Sequence, residues 1–334
     1  MRPWPRRGRA RTRDRLRPVS PLHGPPDAAH SPRYVGLRTF ARCPHVTDAA
    51  GVDVAVVGVP FDTATSRRPG ARYGPEAIRS ASIGLRPYHP PLDVDVFGTL
   101  SVVDWGDLDI TPGNAERTAA QIAAGLEPLA RAGVVPVVLG GDHSVVLGEL
   151  RAHAAVHGPL ALVLLDAHAD TWDHYYGERY FHGTPFRRAL EEGLLLPERS
   201  LLAGMRGPLY SRSDLSEARA MGFEIVADGE LRAMEPAEYG RRVRSRVGDA
   251  PAYLSFDIDL VDPAFAPGTG TPEVAGLNAR EALGLIRALA GMRFAGFDVV
   301  EVSPAYDGPG ETTALLAASV AYEFLALTAI AKRS

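Results

Sequence analysis

The sequence predicts one doubly wound α/β domain, with a mostly parallel central sheet flanked by helices. Two observations carry this. From residue 53 onward, short, continuous, β-branched apolar runs alternate with longer alanine- or arginine-rich stretches, as strands buried on both faces alternate with the helices that cover them. In addition, neither an internal repeat nor a linker divides residues 33–331. The length of 334 residues would allow two domains at about 150 residues each, but the unbroken pattern argues for one.

In chain order, strands are expected at Asp53–Val59, Val134–Leu139, Leu160–Leu165, Ala252–Phe256 and Phe294–Val300. Helices are expected at Ala115–Arg131, Val145–His157, Glu235–Val247 and Ala279–Ala290, each long enough and rich enough in helix formers. Residues 312–331 have the length of a transmembrane helix. Glu323 at their centre and small polar neighbours instead favour a buried C-terminal helix, so no membrane span is expected.

Composition narrows the class. With 46% hydrophobic and 23% charged residues, the chain reads as a soluble globular protein. Cys43 is the only cysteine, which rules out an intrachain disulfide or a zinc ribbon and fits a reducing, cytoplasmic compartment. Residues 1–17 hold eight arginines and one aspartate, a net charge of +7; with −4 over the whole chain, the remainder carries −11. An acidic body argues against nucleic-acid binding by the folded part. Residues 1–32, basic, proline-rich and without an apolar face, are expected to be a disordered leader, and residues 33–331 the single folded domain.

Ligand sites in such folds lie beyond the carboxyl ends of the strands, and the polar clusters fall there. Gly140-Gly141-Asp142-His143-Ser144 follows one apolar run and Asp166-Ala167-His168-Ala169-Asp170 the next. Asp257 and Asp259 follow a third, and Glu301 closes the last. On an extended segment, residues at i, i+2 and i+4 point to one side, so Asp166, His168 and Asp170 should converge, as should Asp257 and Asp259. Carboxylates gathered without a counter-charge shift one another's pKa strongly; divalent cations remove that problem. Four aspartates and two histidines suffice for two ions, with oxygen-rich ligation favouring Mn²⁺ over structural Zn²⁺. Two ions about 3.5–4 Å apart ionise a shared water at neutral pH. The resulting site is close to neutral or negative and suits a cationic substrate. Taken singly, each aspartate could be a turn cap and each histidine a structural residue; six of them at strand ends point to metal. The aspartate–histidine spacing alone would also permit a binuclear phosphoesterase, but that reading requires cationic side chains around the metals. No GxSxG elbow surrounds Ser144, which excludes a serine hydrolase.

GGDHS (140–144), DAHAD (166–170), SFDIDLVDPAFAPGTGTPE (255–273) and EVSPAYD (301–307) resemble the signature blocks of the ureohydrolase family of arginases, agmatinases and guanidino-acid amidinohydrolases. PGARYGP (69–75) and HGTPF (182–186) extend the likeness. It implies an arginase-like three-layer fold and two Mn²⁺ ions per subunit. One ion would be held by His143, Asp166, Asp170 and Asp257, the other by Asp166, His168, Asp257 and Asp259. The resemblance also implies that Glu301 holds the substrate guanidinium by paired hydrogen bonds and that His182 relays protons. Asp170 would additionally orient the attacking oxygen. Asp142 and Asp262 would support the ligands, or else cap turns. Because every metal position is filled, a catalytically silent, purely regulatory homologue is the weaker alternative. Trimers or hexamers of one chain are expected.

The substrate is then a small guanidino compound, agmatine first (giving putrescine and urea), with guanidinobutyrate or proclavaminate as the alternative. An ammonium tail needs acceptors and a carboxylate tail needs donors. The segment Thr171–Phe181 offers Asp173 and Glu178, but also His174 and Arg179. It lacks the asparagine- and serine-containing stretch with which arginases hold an α-amino acid, which argues against arginine.

Overall fold

The computed structural model describes residues 22–333, so the arginine-rich segment 1–17 lies outside the described residues. Along the first half run β1 (Val54–Gly58), α1 (Gly74–Ser82), β2 (Tyr88–His89), β3 (Val94–Asp95), α2 (Val96–Thr99), β4 (Val102–Asp107), α3 (Ala115–Arg131), β5 (Val135–Leu139) and α4 (Val146–His157). The second half holds β6 (Ala161–Leu165), α5 (Pro185–Glu191), β7 (Leu201–Met205), α6 (Asp214–Ala220), β8 (Glu224–Ala227), α7 (Asp228–Ala233) and α8 (Pro236–Val247). It closes with β9 (Ala252–Asp257), α9 (Ala279–Arg287), β10 (Phe294–Val300) and α10 (Thr312–Arg333).

Eight strands form one parallel sheet in the order β4-β1-β5-β10-β9-β6-β7-β8, and β2 and β3 make a separate antiparallel pair. The chain winds outward in both directions, then fills the middle with β9 and β10. Strand residues alternate between two cores. Val54, Val56, Val163, Leu165, Phe297 and Val299 pack with α1, α8, α9 and α10, whereas Ala55, Val57, Val138, Leu162 and Leu164 face the layer of α3, α4 and α5. This is the predicted doubly wound α/β domain, in three layers.

The five expected strands and five expected helices are all present. Strands β4, β7 and β8 lie outside the sequence expectation. β4 carries Asp104-Trp105-Gly106-Asp107, too polar to register as an apolar run. Asp104 is buried because the Arg79 guanidinium meets it at 2.8 and 3.1 Å and the Phe40 N–H at 2.7 Å. β7 is as long as β1, β5 and β6, whereas β8 is a four-residue edge strand.

α10 is long and apolar enough to cross a membrane, yet 72% of its most apolar window is buried against α1, α9 and β10. Its Glu323 is held by His89 Nε2 at 2.9 Å and by the Arg287 guanidinium. Within residues 22–32, grouped by sequence with the leader, His23 is tied to the body: its N–H donates to Ser101 Oγ (3.1 Å), and its carbonyl accepts from Val102 N (2.9 Å), while Ser31 accepts from the Arg42 guanidinium.

Candidate metal centre

The four central strands β5, β10, β9 and β6 end side by side, and each hands an acidic or imidazole residue to the same edge of the sheet. Three of the ends share one local device. Asp142, Asp166 and Asp257 each use Oδ1 to accept the backbone N–H two residues on, from Ser144 (3.1 Å), His168 (2.6 Å) and Asp259 (2.8 Å). Such aspartate turns are a local alternative to continuing the strand. They correct the extended-strand rationale. The chain bends at Asp166, Asp170 has left-handed backbone (φ +48°), and Asp259 sits in a 3₁₀ turn over Ile258–Leu260. The spacing converges the side chains through turns, not through strand periodicity.

The turns leave the second oxygens of Asp166 and Asp257 facing inward. His143 Nδ1 lies 3.1 Å from Asp166 Oδ2, 3.0 Å from Asp170 Oδ2 and 3.2 Å from Asp257 Oδ2. His168 Nδ1 lies 3.0 Å from Asp259 Oδ2 and 3.6 Å from Asp166 Oδ1. His143-Asp166-Asp170 and Asp166-His168-Asp259 therefore form two donor groups, each compact enough for one ion and joined through Asp166. Despite their neighbours, His143 Nδ1 and Asp166 Oδ2 are buried without a properly aligned hydrogen bond, a cost of about 1–3 kcal/mol each if nothing else met them. Burial and the neighbouring Asp259 and Asp166 charges push the Asp257 carboxyl well up, and burial takes Asp259 up to about 6. Orphaned donors, strained carboxylates and an oxygen-and-imidazole set without thiolate fit a hard divalent cation.

His143 is fixed from behind as well: Nε2 meets Ser255 Oγ at 2.9 Å, and Ser255 Oγ donates to Asp298 Oδ1 at 2.7 Å. That leaves Nδ1 as the bare nitrogen facing the carboxylates. The Arg206 guanidinium binds the carbonyls of Asp259, Leu260, Glu273 and Val274, holding the loop beside Asp259. Of the two aspartates left open between support and capping, Asp142 accepts from Ala64 N (2.9 Å) and Ser144. Asp262 accepts from Ala264 N and Gly276 N. Both are turn caps.

Glu301 follows β10 in left-handed backbone (φ +61°). Its Oε1 accepts from His143 N (2.9 Å) and faces His182 Nδ1 (2.9 Å), while Oε2 is buried without a partner. The expected two-oxygen grip is thus reduced to one free oxygen. The Ser66 N–H donates to His182 Nε2 (3.0 Å), and Ser66 Oγ is 2.8 Å away, so His182 carries its proton on Nδ1. Burial lowers the His182 pKa, but the Glu301 carboxylate outweighs it and the net shift is upward.

These groups open into a cavity of about 450 Å³ walled by Trp172, Tyr175 and Tyr210. Asp173, His174, Glu178 and Arg179, the sequence candidates for the substrate's tail, do not line it. Asp173 pairs with Arg188 (2.6 Å), His174 lies beside Asp173 (3.6 Å), Arg179 pairs with Glu191 (2.6 Å), and Glu178 closes a backbone turn with Tyr175. Arg67, Asp214 and Glu273 line it instead. Nothing in the one-dimensional pattern marks Asp214, whereas Arg67 opens the block RRPGARYGP (67–75), which resembles the agmatinase and guanidino-acid branch, and Glu273 ends another.

Gly140 and Gly141 are needed for space, not for unusual backbone angles. A Cβ at Gly141 would stand 1.7 Å from the Phe61 carbonyl oxygen. Gly141→Ala is expected to cost at least about 1–3 kcal/mol, read as a lowered melting temperature of the metal-free protein.

A family described as the arginase family matches residues 52–327. The chain belongs to it. Among relatives of this family, the mitochondrial agmatinase of Gallus gallus is 43% identical over 309 residues, covering 92% of this chain and 91% of that protein. The guanidinobutyrase of Pseudomonas aeruginosa is also 43% identical, over 91% of this chain and 96% of its own. The solved structure of proclavaminate amidino hydrolase from Streptomyces clavuligerus superposes with a TM-score of 0.86 at 43% identity, over 90% of this chain and 100% of that one.

Proposed function

We propose that the protein is a Mn²⁺-dependent amidinohydrolase, with two ions per subunit, that converts a small guanidino acid and water to urea and the corresponding amino acid. The observation that carries the reading is the free Oε2 of Glu301 in the wall of the cavity that holds His168, Asp170 and Asp257. His143, Asp166, Asp170 and Asp257 would hold one ion, and Asp166, His168, Asp257 and Asp259 the other. When bound, the ions supply the Lewis acidity that makes water nucleophilic at neutral pH. Glu301 Oε2 accepts an N–H of the substrate guanidinium and orients its carbon over the donor set. His182, held between Glu301 Oε1 at Nδ1 and Ser66 at Nε2, would relay the proton that the departing amine requires.

Arg67 favours a carboxylate tail. It lines the cavity, is exposed, and its charge acts on Glu273 across the mouth. The Arg206 guanidinium, by contrast, is taken up by carbonyls. Agmatine is the second reading, favoured by the Glu273 and Asp214 carboxylates on the same walls. Urea release from a panel of guanidino acids, agmatine and arginine, with Mn²⁺ present, tests both; no urea from any of them would end the enzyme reading. Arg67→Ser should raise KM for a guanidino acid about 10-fold or more, the worth of a hydrogen bond to a charged group, and leave kcat and agmatine turnover little changed. Greater loss on agmatine than on the guanidino acid would reverse the assignment.

A further inference from the structure

Behind the metal donors lies a second cluster of titratable side chains that the reaction does not use. Glu149 of α4, Tyr253 and Ser255 of β9, and Asp298 of β10 are all fully buried. Ser255 and Asp298 are direct partners across the β9–β10 ladder. From His143 the contacts run inward through Ser255 Oγ to Asp298 Oδ1, which also accepts the Phe256 N–H at 3.2 Å. At the far end, the Tyr253 hydroxyl donates to Glu149 Oε2. Between the two ends, Asp298 Oδ2 and Glu149 Oε1 are both buried and otherwise unpartnered, and the two carboxyl groups lie within reach of each other.

We propose that Glu149 is a positioning residue: as a carboxylic acid it donates to Asp298 Oδ2, completing a buried relay that presents His143 as a neutral donor to the metal. The proposal rests on the reading of His143 as a ligand. Two carboxylates in contact without a cation cannot both be ionised, so one proton is shared. Asp298 has the stronger claim to the negative charge, because Oδ1 already receives two donors and Glu149 receives one. The pKa shifts point the same way. Burial and the Asp298 charge push Glu149 well up, whereas the Ser255 hydroxyl and the Phe256 N–H favour the charged form of Asp298. The nearby His153 supplies no positive charge, since burial holds it down at about 3. An anionic Asp298 accepts the Ser255 O–H hydrogen bond, so Ser255 Oγ is left to accept from His143 Nε2–H, and the Nδ1 lone pair remains for the ion.

Glu149→Gln and Glu149→Leu separate the alternatives. In the Gln variant the amide N–H₂ replaces the acid O–H toward Asp298; in the Leu variant nothing does. An infrared difference spectrum of wild type minus Glu149→Gln, both Mn²⁺-loaded at neutral pH, should show the C=O stretch of a protonated carboxyl. Mn²⁺ affinity, measured by titration against a chelator, should fall about 10–100-fold in Glu149→Leu, as for other groups that orient a metal ligand, and be largely kept in Glu149→Gln. Absence of the band, or equal loss of affinity in Glu149→Gln and Glu149→Leu, would overturn the proposal. Because the band needs only Glu149→Gln, poor folding of Glu149→Leu does not remove the test. Wild-type protein that takes up no Mn²⁺ while a band appears in the metal-free spectra would overturn the metal reading, and with it this role for Glu149.

Discussion

Asp257→Asn is expected to abolish metal uptake and turnover together while leaving the metal-free protein more stable than the metal-free wild type at neutral pH. The carboxyl of Asp257 is buried beside Asp259 and Asp166, and both burial and those charges raise its pKa well above the ordinary value. A carboxyl with a raised folded-state pKa binds more protons folded than unfolded. Stability therefore falls as pH climbs from the ordinary value, about 4, through the raised one. At pH 7 the wild type without metal bears that cost; the neutral amide removes it, and each kcal/mol relieved should raise the melting temperature by about 2–4 °C or somewhat less for a chain this long. Loading the wild type with metal restores what the amide relieves, by about 2.7 kcal/mol at a free ion concentration 100 times the Kd. The two proteins should thus exchange rank on the melting curve when Mn²⁺ is added, with metal content read by elemental analysis. A fully active Asp257→Asn would refute the ligand assignment.

Glu301→Gln is expected to keep its metal and lose turnover by about 10²–10³-fold, the loss typical of removing one oriented electrostatic partner of the reacting group. Oε1 of Glu301 is committed to His143 N and His182 Nδ1, so the glutamine must place its carbonyl oxygen there. Its N–H₂ then takes the position of Oε2 and opposes the N–H groups of the guanidinium with donors of its own. The substitution spares the donor atoms around His143 and His168, so ion stoichiometry should be unchanged; metal loss would contradict the role given to Glu301.

Much of this site was legible because its residues stand at the ends of apolar runs. His143, Asp166, Asp257 and Glu301 each follow a strand dense in β-branched or aromatic residues, and a parallel sheet brings such ends together. The orientation of single atoms was not legible. That Glu301 spends Oε1 on the backbone of His143 depends on β5 and β10 being neighbours, a fact of strand order and not of spacing. The tail candidates in residues 171–181 failed for a different reason. Asp173 and Arg179 found partners in the adjacent helix α5, in Arg188 and Glu191, so charges that looked available are neutralised locally. Arg67 sits far away in sequence, in a loop with no periodicity to mark it. β4 went unseen because Arg79 makes a buried aspartate tolerable within it.

The three aspartate turns at the mouth of the sheet bear on how far the ligand arrangement is fixed by the fold itself. Each ties its own loop with one oxygen; Asp166 and Asp257 turn the other inward, whereas Asp142 spends it on the Ala64 N–H, so the local shape is set by hydrogen bonds within the protein. An ion arriving later finds its cradle finished, and the entropic toll of gathering distant ligands has already been met during folding. On the proposed reading, metal uptake would require no further folding step, and a metal-free chain would already hold its ligands in place.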